Sequence, residues 1–230
     1  MRTLGLIGGM SWESTTTYYR LLNEMVRERL GHLHSAELIL WSVDFERIAR
    51  LQHTGQWDAA AEALITIAGQ LEEAGAEALM ICTNTMHKLA DIIEASLSIP
   101  LIHIADATGE AIKAAQLKRP ALLGTRFTME QDFYKERLTE KYGIEAIIPD
   151  EAGRQIIHEI IYDELCKGLI KDTSKAAYLK QIELLRKQGA DSVILGCTEI
   201  GLLISQKDTD LPVFDTTSLH AEAAVNFALS

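Results

Sequence analysis

Two short polar segments contain the residues best suited to proton transfer, and each follows an apolar run. Residues 82–85 have the sequence CTNT after the run ALMI, and residues 196–199 have the sequence GCTE after the run SVIL. A cysteine thiol ionises at about pH 8.5, so it can remove or return a proton near neutral pH. The two segments therefore predict a site for acid–base chemistry.

Short apolar runs alternate along the chain with longer segments of helical period, such as residues 57–74 and 173–189. The runs are continuously apolar, which is typical of strands that are covered on both faces. This order predicts an α/β fold in which parallel sheets are flanked by helices. Polar residues directly after such strands lie at their carboxyl ends, where open parallel sheets bind ligands.

The order of these elements repeats once along the chain. The matched pairs, at offsets of 116, 114 and 112 residues, are Gly8 with Gly124, Gly75 with Gly189, and Pro100 with Pro212. Three matches in order, with slowly drifting offsets, indicate a duplication, because the period is about the size of a domain. We therefore expect two pseudo-symmetric domains, each with one parallel sheet flanked by helices.

The repeat also relates the two polar segments to each other. An offset of 114 places Thr83 opposite Cys197 and Asn84 opposite Thr198. If the two halves face one another, Thr83 and Cys197 reach a ligand in the cleft from opposite sides. Two proton-handling groups on opposite faces of one carbon are what inversion of a stereocentre requires. Cys82 is expected to be a core thiol on the other face of its strand, and Cys166 a helix residue.

Composition limits the classes of function. The chain has 230 residues, of which 47% are apolar, and its net charge of −11 disfavours a nucleic-acid or anionic membrane surface. No apolar run approaches the roughly 20 residues of a membrane-spanning helix, and the start of the chain lacks a signal-peptide core. Three cysteines without the spacing of a zinc site predict free thiols in the cytoplasm and no metal.

The chain resembles the pyridoxal-phosphate-independent aspartate/glutamate racemase family over nearly its whole length. The segments that carry the resemblance are LGLIGGM at 4–10, TNTMH at 83–87, ALLGT at 121–125, IIYDELCKG at 160–168 and GCTE at 196–199. The resemblance implies a cofactor-free, homodimeric enzyme with its active site between two α/β domains. In the family, the C-terminal segment returns to the first domain. We therefore expect an N-terminal lobe of residues 1–98 and 211–230, and a C-terminal lobe of residues 99–210.

One position departs from the family pattern. Thr83 stands where the family has its first catalytic cysteine, whereas the second is present as Cys197. A threonine hydroxyl is a much weaker base than a thiolate. In the family, the carboxy-terminal cysteine handles the L-enantiomer, so the resemblance implies racemisation of aspartate or glutamate with a kinetic bias toward L-substrates. It stays open whether Thr83, Cys82 or a water serves the second face.

The turns that follow the strands supply most of the expected substrate-binding residues. Backbone N–H groups at helix N-termini suit a substrate carboxylate, and they are expected to help hold Cys197 as a thiolate. Thr125 is at once a candidate ligand and a candidate helix N-cap. The residues expected to bind substrate in these turns are Met10, Asn84, Thr85, Thr125 and Thr198.

The resemblance implies two further contacts to the side-chain carboxylate of an acidic substrate. Lys167 occupies the position of a carboxylate-binding lysine in aspartate racemases. Residues 44–53 correspond to a mobile loop that carries a carboxylate-binding arginine in the family. In this loop Arg47, Arg50 and Gln52 are all candidates.

Two alternative hypotheses stay open. A single thiol also suits a decarboxylase or an isomerase of a related dicarboxylic acid on the same scaffold, since a decarboxylase has to deliver only one proton. Two-lobed α/β folds also serve as non-catalytic binding proteins, although the thiol in the GCTE segment argues against this. The expected partner is a small-molecule substrate, an acidic amino acid, and neither nucleic acid nor a membrane is expected to bind.

Overall fold

The chain forms two units in the computed structural model, which describes all residues 1–230. Unit 1 comprises Met1–His103 and His220–Ser230, and unit 2 comprises Ile104–Leu219. The chain passes between the units a few residues later than the expected positions, 98 and 210. The reason lies in strand pairing, since Leu101 bridges to the sheet of unit 1 and residues 213–215 pair with the sheet of unit 2.

The first half of the chain builds the sheet of unit 1. Its elements are β1 (Leu4–Gly8), α1 (Trp12–Leu30), β2 (Leu38–Ser42), α2 (Phe45–His53), α3 (Trp57–Glu73), β3 (Ala78–Ile81), a 3₁₀ helix (Thr85–Leu89) and α4 (Ala90–Glu94). The strands are parallel in the order β2-β1-β3. Strands β1 and β3 are buried along their whole length, as their continuous apolar runs predict.

The second half builds the sheet of unit 2. Its elements are α5 (Ile104–Ala114), β4 (Pro120–Gly124), α6 (Arg126–Glu130), α7 (Asp132–Tyr142), α8 (Glu151–Asp163), a 3₁₀ helix (Leu165–Lys167), α9 (Asp172–Lys187), β5 (Ser192–Gly196), 3₁₀ helices at Ile200–Leu202 and Gln206–Asp208, β6 (Val213–Asp215) and α10 (Thr216–Leu229). The strands are parallel in the order β4-β5-β6. Helices α3 and α9 match the helical segments expected at 57–74 and 173–189.

The strand register reproduces the repeat seen in the sequence. Leu4 pairs with Ala78 in unit 1, and Pro120 pairs with Ser192 in unit 2. The offsets of 116 and 114 residues carry the first pair onto the second. The prediction of two pseudo-symmetric α/β domains, each with a parallel sheet flanked by helices, is therefore confirmed.

Both faces of each sheet are covered by apolar packing. In unit 1, α3 packs on one face through residues such as Leu64 and Leu71, and α1 packs on the other through Tyr18 and Leu22. The C-terminal part of α10 joins α1 there, so the end of the chain completes the core of unit 1. In unit 2, α8 and α9 cover one face, and α5 and α7 cover the other.

The expectation of a loop at residues 44–53 is wrong. Asp44 caps the N-terminus of α2 by accepting a hydrogen bond from the Glu46 N–H at 3.2 Å. Residues Ile48 and Gln52, four apart, form the buried side of this helix. The amphipathic spacing of the segment explains why it is helical.

None of the helices combines the length and the apolar composition needed to cross a membrane.

Candidate active site

The turn after β3 is held by the backbone of the sheet. The Cys82 N–H donates to the Ile7 carbonyl oxygen at 2.9 Å, and the Thr83 N–H donates to the Ile81 carbonyl oxygen at 2.8 Å. The Thr83 side chain is 9% exposed, and Asn84 and Thr85 are buried at the start of the following 3₁₀ helix. Thr83 thus lies at the carboxyl end of β3, as expected. Its backbone N–H group already donates a hydrogen bond to the Ile81 carbonyl oxygen.

Cys82 faces away from this turn. Its side chain is fully buried in the cluster that contains Leu4, Leu6 and Tyr18, on the face of the sheet covered by α1. Burial raises the pKa of the Cys82 thiol. The expectation of a core thiol agrees with this placement, and a fully buried neutral thiol is a poor base.

Cys197 lies in the equivalent turn of unit 2, directly after β5. Its thiol donates a hydrogen bond to Oε2 of Glu199 at 2.9 Å, and the Thr198 hydroxyl donates to the same oxygen at 2.9 Å. Burial is the first cause that raises the pKa of Cys197, and the negative charge of Glu199 is the second. The expected thiolate is therefore not the resting form, because both effects favour the neutral thiol.

Tight backbone packing and two threonine hydroxyls hold the Cys197 turn. Gly124 and Gly196 are register partners, and a Cβ atom on Gly124 would lie 2.7 Å from the Gly196 carbonyl oxygen. The Thr216 hydroxyl donates to the Leu195 carbonyl oxygen at 2.8 Å. The Thr217 hydroxyl donates to the Thr198 carbonyl oxygen at 3.4 Å. The start of α10 thus fixes the backbone of the turn that carries the Cys197 thiol.

Thr125 and Met10 follow the strands β4 and β1. Thr125 caps α6, since its hydroxyl oxygen accepts a hydrogen bond from the Thr128 N–H at 3.3 Å. Because Gly124 pairs with Gly196, Thr125 and Cys197 both emerge at the same edge of the sheet of unit 2. Met10 is buried in the core cluster of unit 1. The structure brings Thr125 next to the thiol segment and packs Met10 in the core.

Gln52 links α2 to the segment that follows Thr83. The buried Gln52 side chain donates from Nε2 to the Met86 sulfur at 2.9 Å. Arg47 and Arg50 are exposed on the same helix. Arg47 lines a cavity of about 330 Å³ between β2, α2 and α3, whose other walls include Trp41 and Gln70. Of the three candidates in this segment, Gln52 is therefore the one in contact with the 3₁₀ helix after Thr83.

Lys167 ends the 3₁₀ helix Leu165–Lys167 and is exposed. Its ammonium group lies 3.5 Å from Oδ1 of Asp163. An exposed ion pair of this kind contributes little to stability, so the ammonium group can exchange partners at small cost. No group of three or more His, Cys, Asp or Glu side chains is arranged to hold a metal ion.

Part of the surroundings of Thr83 could not be predicted from the sequence. His87 belongs to the TNTMH segment, and its ring contacts the rings of His103 and His220. These three residues come from separate parts of the chain, and no spacing in the sequence connects them.

Comparisons with known proteins agree with this architecture. A profile of the Asp/Glu/hydantoin racemase family matches residues 7–224. A provisionally assigned Asp/Glu racemase structure from Yersinia pestis is 55% identical, with a TM-score of 0.92 and full coverage of both chains. An aspartate racemase homologue from Pyrococcus horikoshii OT3 is 35% identical, with a TM-score of 0.86 and full coverage of both chains. The broad specificity amino-acid racemase RacX of Bacillus subtilis is 21% identical over 99% of this chain and 98% of its own. The chain belongs to the Asp/Glu/hydantoin racemase family and is an amino-acid racemase.

Proposed function

We propose that the protein racemises aspartate or glutamate without a cofactor, with Cys197 and Thr83 serving opposite faces of the α-carbon. The observation that carries the proposal is the Cys197 thiol, whose hydrogen bond to Glu199 provides both a proton carrier and a proton acceptor. Thr83 occupies the equivalent position after β3 in the other unit. The relation to an aspartate racemase homologue supports an acidic substrate.

The L-substrate reacts at Cys197. The thiol proton passes to Glu199, and the resulting thiolate removes the α-proton, so that the sulfur is protonated again and the substrate becomes a carbanion. A proton delivered from the opposite face gives the D-amino acid. Glu199 then releases its proton to solvent, and the donor on the opposite face takes one back, which balances the cycle.

The opposite face is served by the Thr83 hydroxyl or by a water that it holds. A hydroxyl can pass a proton to a carbanion, but it is a poor base for the α-proton of a D-substrate. The turnover number at saturation is therefore larger from the L-side than from the D-side, and KM differs in the same ratio, because enantiomers of equal free energy require equal kcat/KM. The equilibrium between enantiomers is unchanged, so this bias is purely kinetic.

The carbanion needs stabilisation by polar groups, because no electron sink is involved. Buried polar side chains at the strand ends are suited to bind the α-carboxylate and to stabilise the developing charge. The residues that we propose for substrate binding are Gln52, Asn84, Thr85, Thr125, Lys167 and Thr198, together with the backbone of Met10, whose side chain is packed in the core. Of these, Lys167 supplies a cation for the side-chain carboxylate, since its ammonium is only weakly engaged with Asp163.

A decarboxylase of a malonate-type acid is the second candidate. One observation favours it, because the neutral thiol form of Cys197 is the form that delivers a single proton. In that reaction, carbon dioxide leaves with formation of a carbanion, which takes the thiol proton. Release of carbon dioxide from a malonate, without solvent exchange at the α-carbon of amino acids, would favour this candidate.

We also propose that the protein works as a homodimer in the cytoplasm. The edge strand β2 exposes Leu40 and Trp41, apolar side chains of the kind found at interfaces between subunits. Sedimentation equilibrium tests the oligomeric state, and a monomer at micromolar concentration would contradict it.

The decisive experiment is chiral analysis of L- and D-aspartate and glutamate in D₂O. Wild-type protein should convert the L-forms and wash deuterium into them. Cys197→Ser should abolish both processes, and Thr83→Cys should raise the rate with D-substrates. Cys82→Ala is the matched control and should retain the wild-type rates, because that thiol is buried in the core. Activity that survives in Cys197→Ser, or D-side rates unchanged in Thr83→Cys, would contradict the proposal.

A further inference from the structure

Three buried histidines lie together in unit 1 beside the turn that carries Thr83. His87, His103 and His220, here called the histidine cluster, are 3%, 7% and 0% exposed. The ring of His87 lies 4.5 Å from the ring of His103 and 5.7 Å from that of His220, both in edge-to-face arrangements. Three buried imidazoles have no role in the chemistry assigned to Cys197, so their arrangement needs its own explanation.

The hydrogen bond of His87 fixes its tautomer. Nδ1 of His87 lies 2.8 Å from the carbonyl oxygen of Thr83. A carbonyl oxygen only accepts, so Nδ1 carries the hydrogen and donates it. This bond spans four residues, and it ties the backbone of Thr83 to the 3₁₀ helix that follows.

His220 supports the cluster from α10. Its Nε2 lies 2.7 Å from the Ile102 carbonyl oxygen and therefore donates, and its Nδ1 lies 2.9 Å from the Tyr18 hydroxyl, which can donate or accept. Burial lowers the pKa of His220 to about 4, so the ring is neutral near pH 7. In the neutral ring, Nδ1 accepts the hydrogen bond from the Tyr18 hydroxyl. His220 thus holds the backbone next to His103 in a fixed position.

Unit 2 has no counterpart of this cluster. The repeat offsets place Gly201 at the position of His87 and Asp215 at the position of His103. A Cβ atom on Gly201 would lie 3.0 Å from Oδ2 of Asp215, so a side chain at this position would crowd the Asp215 carboxylate. The turn of unit 2 is held by the hydroxyl of Thr217 instead. The cluster therefore occurs only in the unit that carries a hydroxyl in place of a thiol.

We propose that His87 is the positioning residue for the second face of the reaction. Its Nδ1–H bond to the Thr83 carbonyl fixes the turn, and packing against His103 and His220 fixes the ring. This inference rests on the proposed function of Thr83. A neutral hydroxyl, or a water that it orients, delivers a proton only from a narrow range of positions, and a displacement of about 1 Å is enough to slow such a step about 100-fold.

The test compares two substitutions at His87. In His87→Asn, the amide nitrogen replaces Nδ1 and retains the donor, whereas His87→Leu has a similar volume without one. With L-aspartate in D₂O, deuterium wash-in reports the Cys197 face alone, and inversion reports both faces. We expect the ratio of inversion to wash-in to fall at least about tenfold in His87→Leu and to recover in His87→Asn. An equal ratio in the two variants, whether low or at the wild-type level, would overturn the proposal.

A second measurement needs no substitution. Nitrogen-15 NMR of the wild-type imidazoles should show a hydrogen on Nδ1 of His87, and a ring without a hydrogen on Nδ1 would overturn the proposal even if His87→Leu does not fold. These experiments distinguish failure of the proposed function from failure of the proposed role of His87. Wild-type protein without wash-in or inversion would remove the proposed function, whereas wash-in and inversion with an unchanged ratio in His87→Leu would remove only the role of His87.

Discussion

The thiol of Cys197 and the carboxylate of Glu199 form a hydrogen bond of 2.9 Å within one turn of the chain. The same carboxylate that raises the pKa of the thiol is also the acceptor for its proton. Glu199 therefore has two opposing effects on Cys197: its charge disfavours the thiolate, and its oxygen receives the proton when the thiolate forms. These effects can be separated by experiment.

Replacing Glu199 with Gln should change two observables in opposite directions. Without the negative charge, the pKa of Cys197 falls, so alkylation of this thiol by iodoacetamide should become faster. Without the proton acceptor, turnover of L-aspartate should fall by about 100-fold or more. Glu183→Gln is the control, because Glu183 is exposed and pairs with Arg186 far from the thiol segment in sequence. Slower alkylation in Glu199→Gln would contradict the assignment of the charge effect.

The rate of reaction from the L-side should change little with pH near neutrality. A raised pKa means that Cys197 is protonated at neutral pH, and transfer of its proton to Glu199 leaves the number of protons on the pair unchanged. Deuterium wash-in to L-aspartate between about pH 6.5 and 8.5 measures this dependence, with circular dichroism as the check on folding. A rate that rises about tenfold for each pH unit would mean that the thiol loses its proton to solvent and not to Glu199.

Acid should destabilise the protein through His220. Its pKa is lowered to about 4, so the unfolded chain takes up a proton below about pH 6.5 while the folded chain does not. The neutral ring thus makes its full contribution to the free energy of unfolding above pH 6.5, and this contribution is lost as the pH falls toward 4. The loss amounts to about 3 kcal/mol.

Urea unfolding of wild type and His220→Gln at a series of pH values measures this contribution. The variant is less stable at neutral pH, but its stability should fall less steeply between pH 6.5 and 4. The comparison of slopes separates His220 from the carboxylates, which titrate in both proteins. Parallel slopes would show that His220 does not titrate differently in the folded and unfolded states.

Gly9 should tolerate a side chain much less well than Gly55. Both have positive φ angles, +85° and +70°. A Cβ atom on Gly9 would lie 2.4 Å from the Val43 carbonyl oxygen, whereas nothing lies within 4 Å of one on Gly55. We expect Gly55→Ala to lower the free energy of unfolding by about 1 to 2 kcal/mol, from backbone strain alone. Gly9→Ala should cost about 2 kcal/mol more, from overpacking, and equal losses would contradict the close approach of Gly9 and Val43.

The strand pattern was readable from the sequence because both sheets are buried on two faces. Continuous apolar runs and the drifting offsets located the strands, and the pairing of Leu4 with Ala78 repeats in Pro120 with Ser192. The segment at 44–53 is helical and not the loop that the family resemblance implies, and the spacing of Ile48 and Gln52 is the local pattern that indicates the helix.

The electrostatic state of the site was not readable from the sequence. The order Cys-Thr-Glu does not determine that the Glu199 side chain turns back onto the sulfur, and this contact, together with burial, decides the protonation of Cys197. The histidine cluster is a second example, since residues 87, 103 and 220 meet only through the tertiary fold.

The shared strand register of the two units has a consequence for how such a site can evolve. An assembly of two identical subunits is bound by symmetry, so any residue chosen for one strand end is imposed on its twin. Fusion of two copies into a single polypeptide removes that constraint. It allows an ancestral pair of equivalent positions to specialise independently, as Thr83 and Cys197 have done, and as His87 and Gly201 have done beside them.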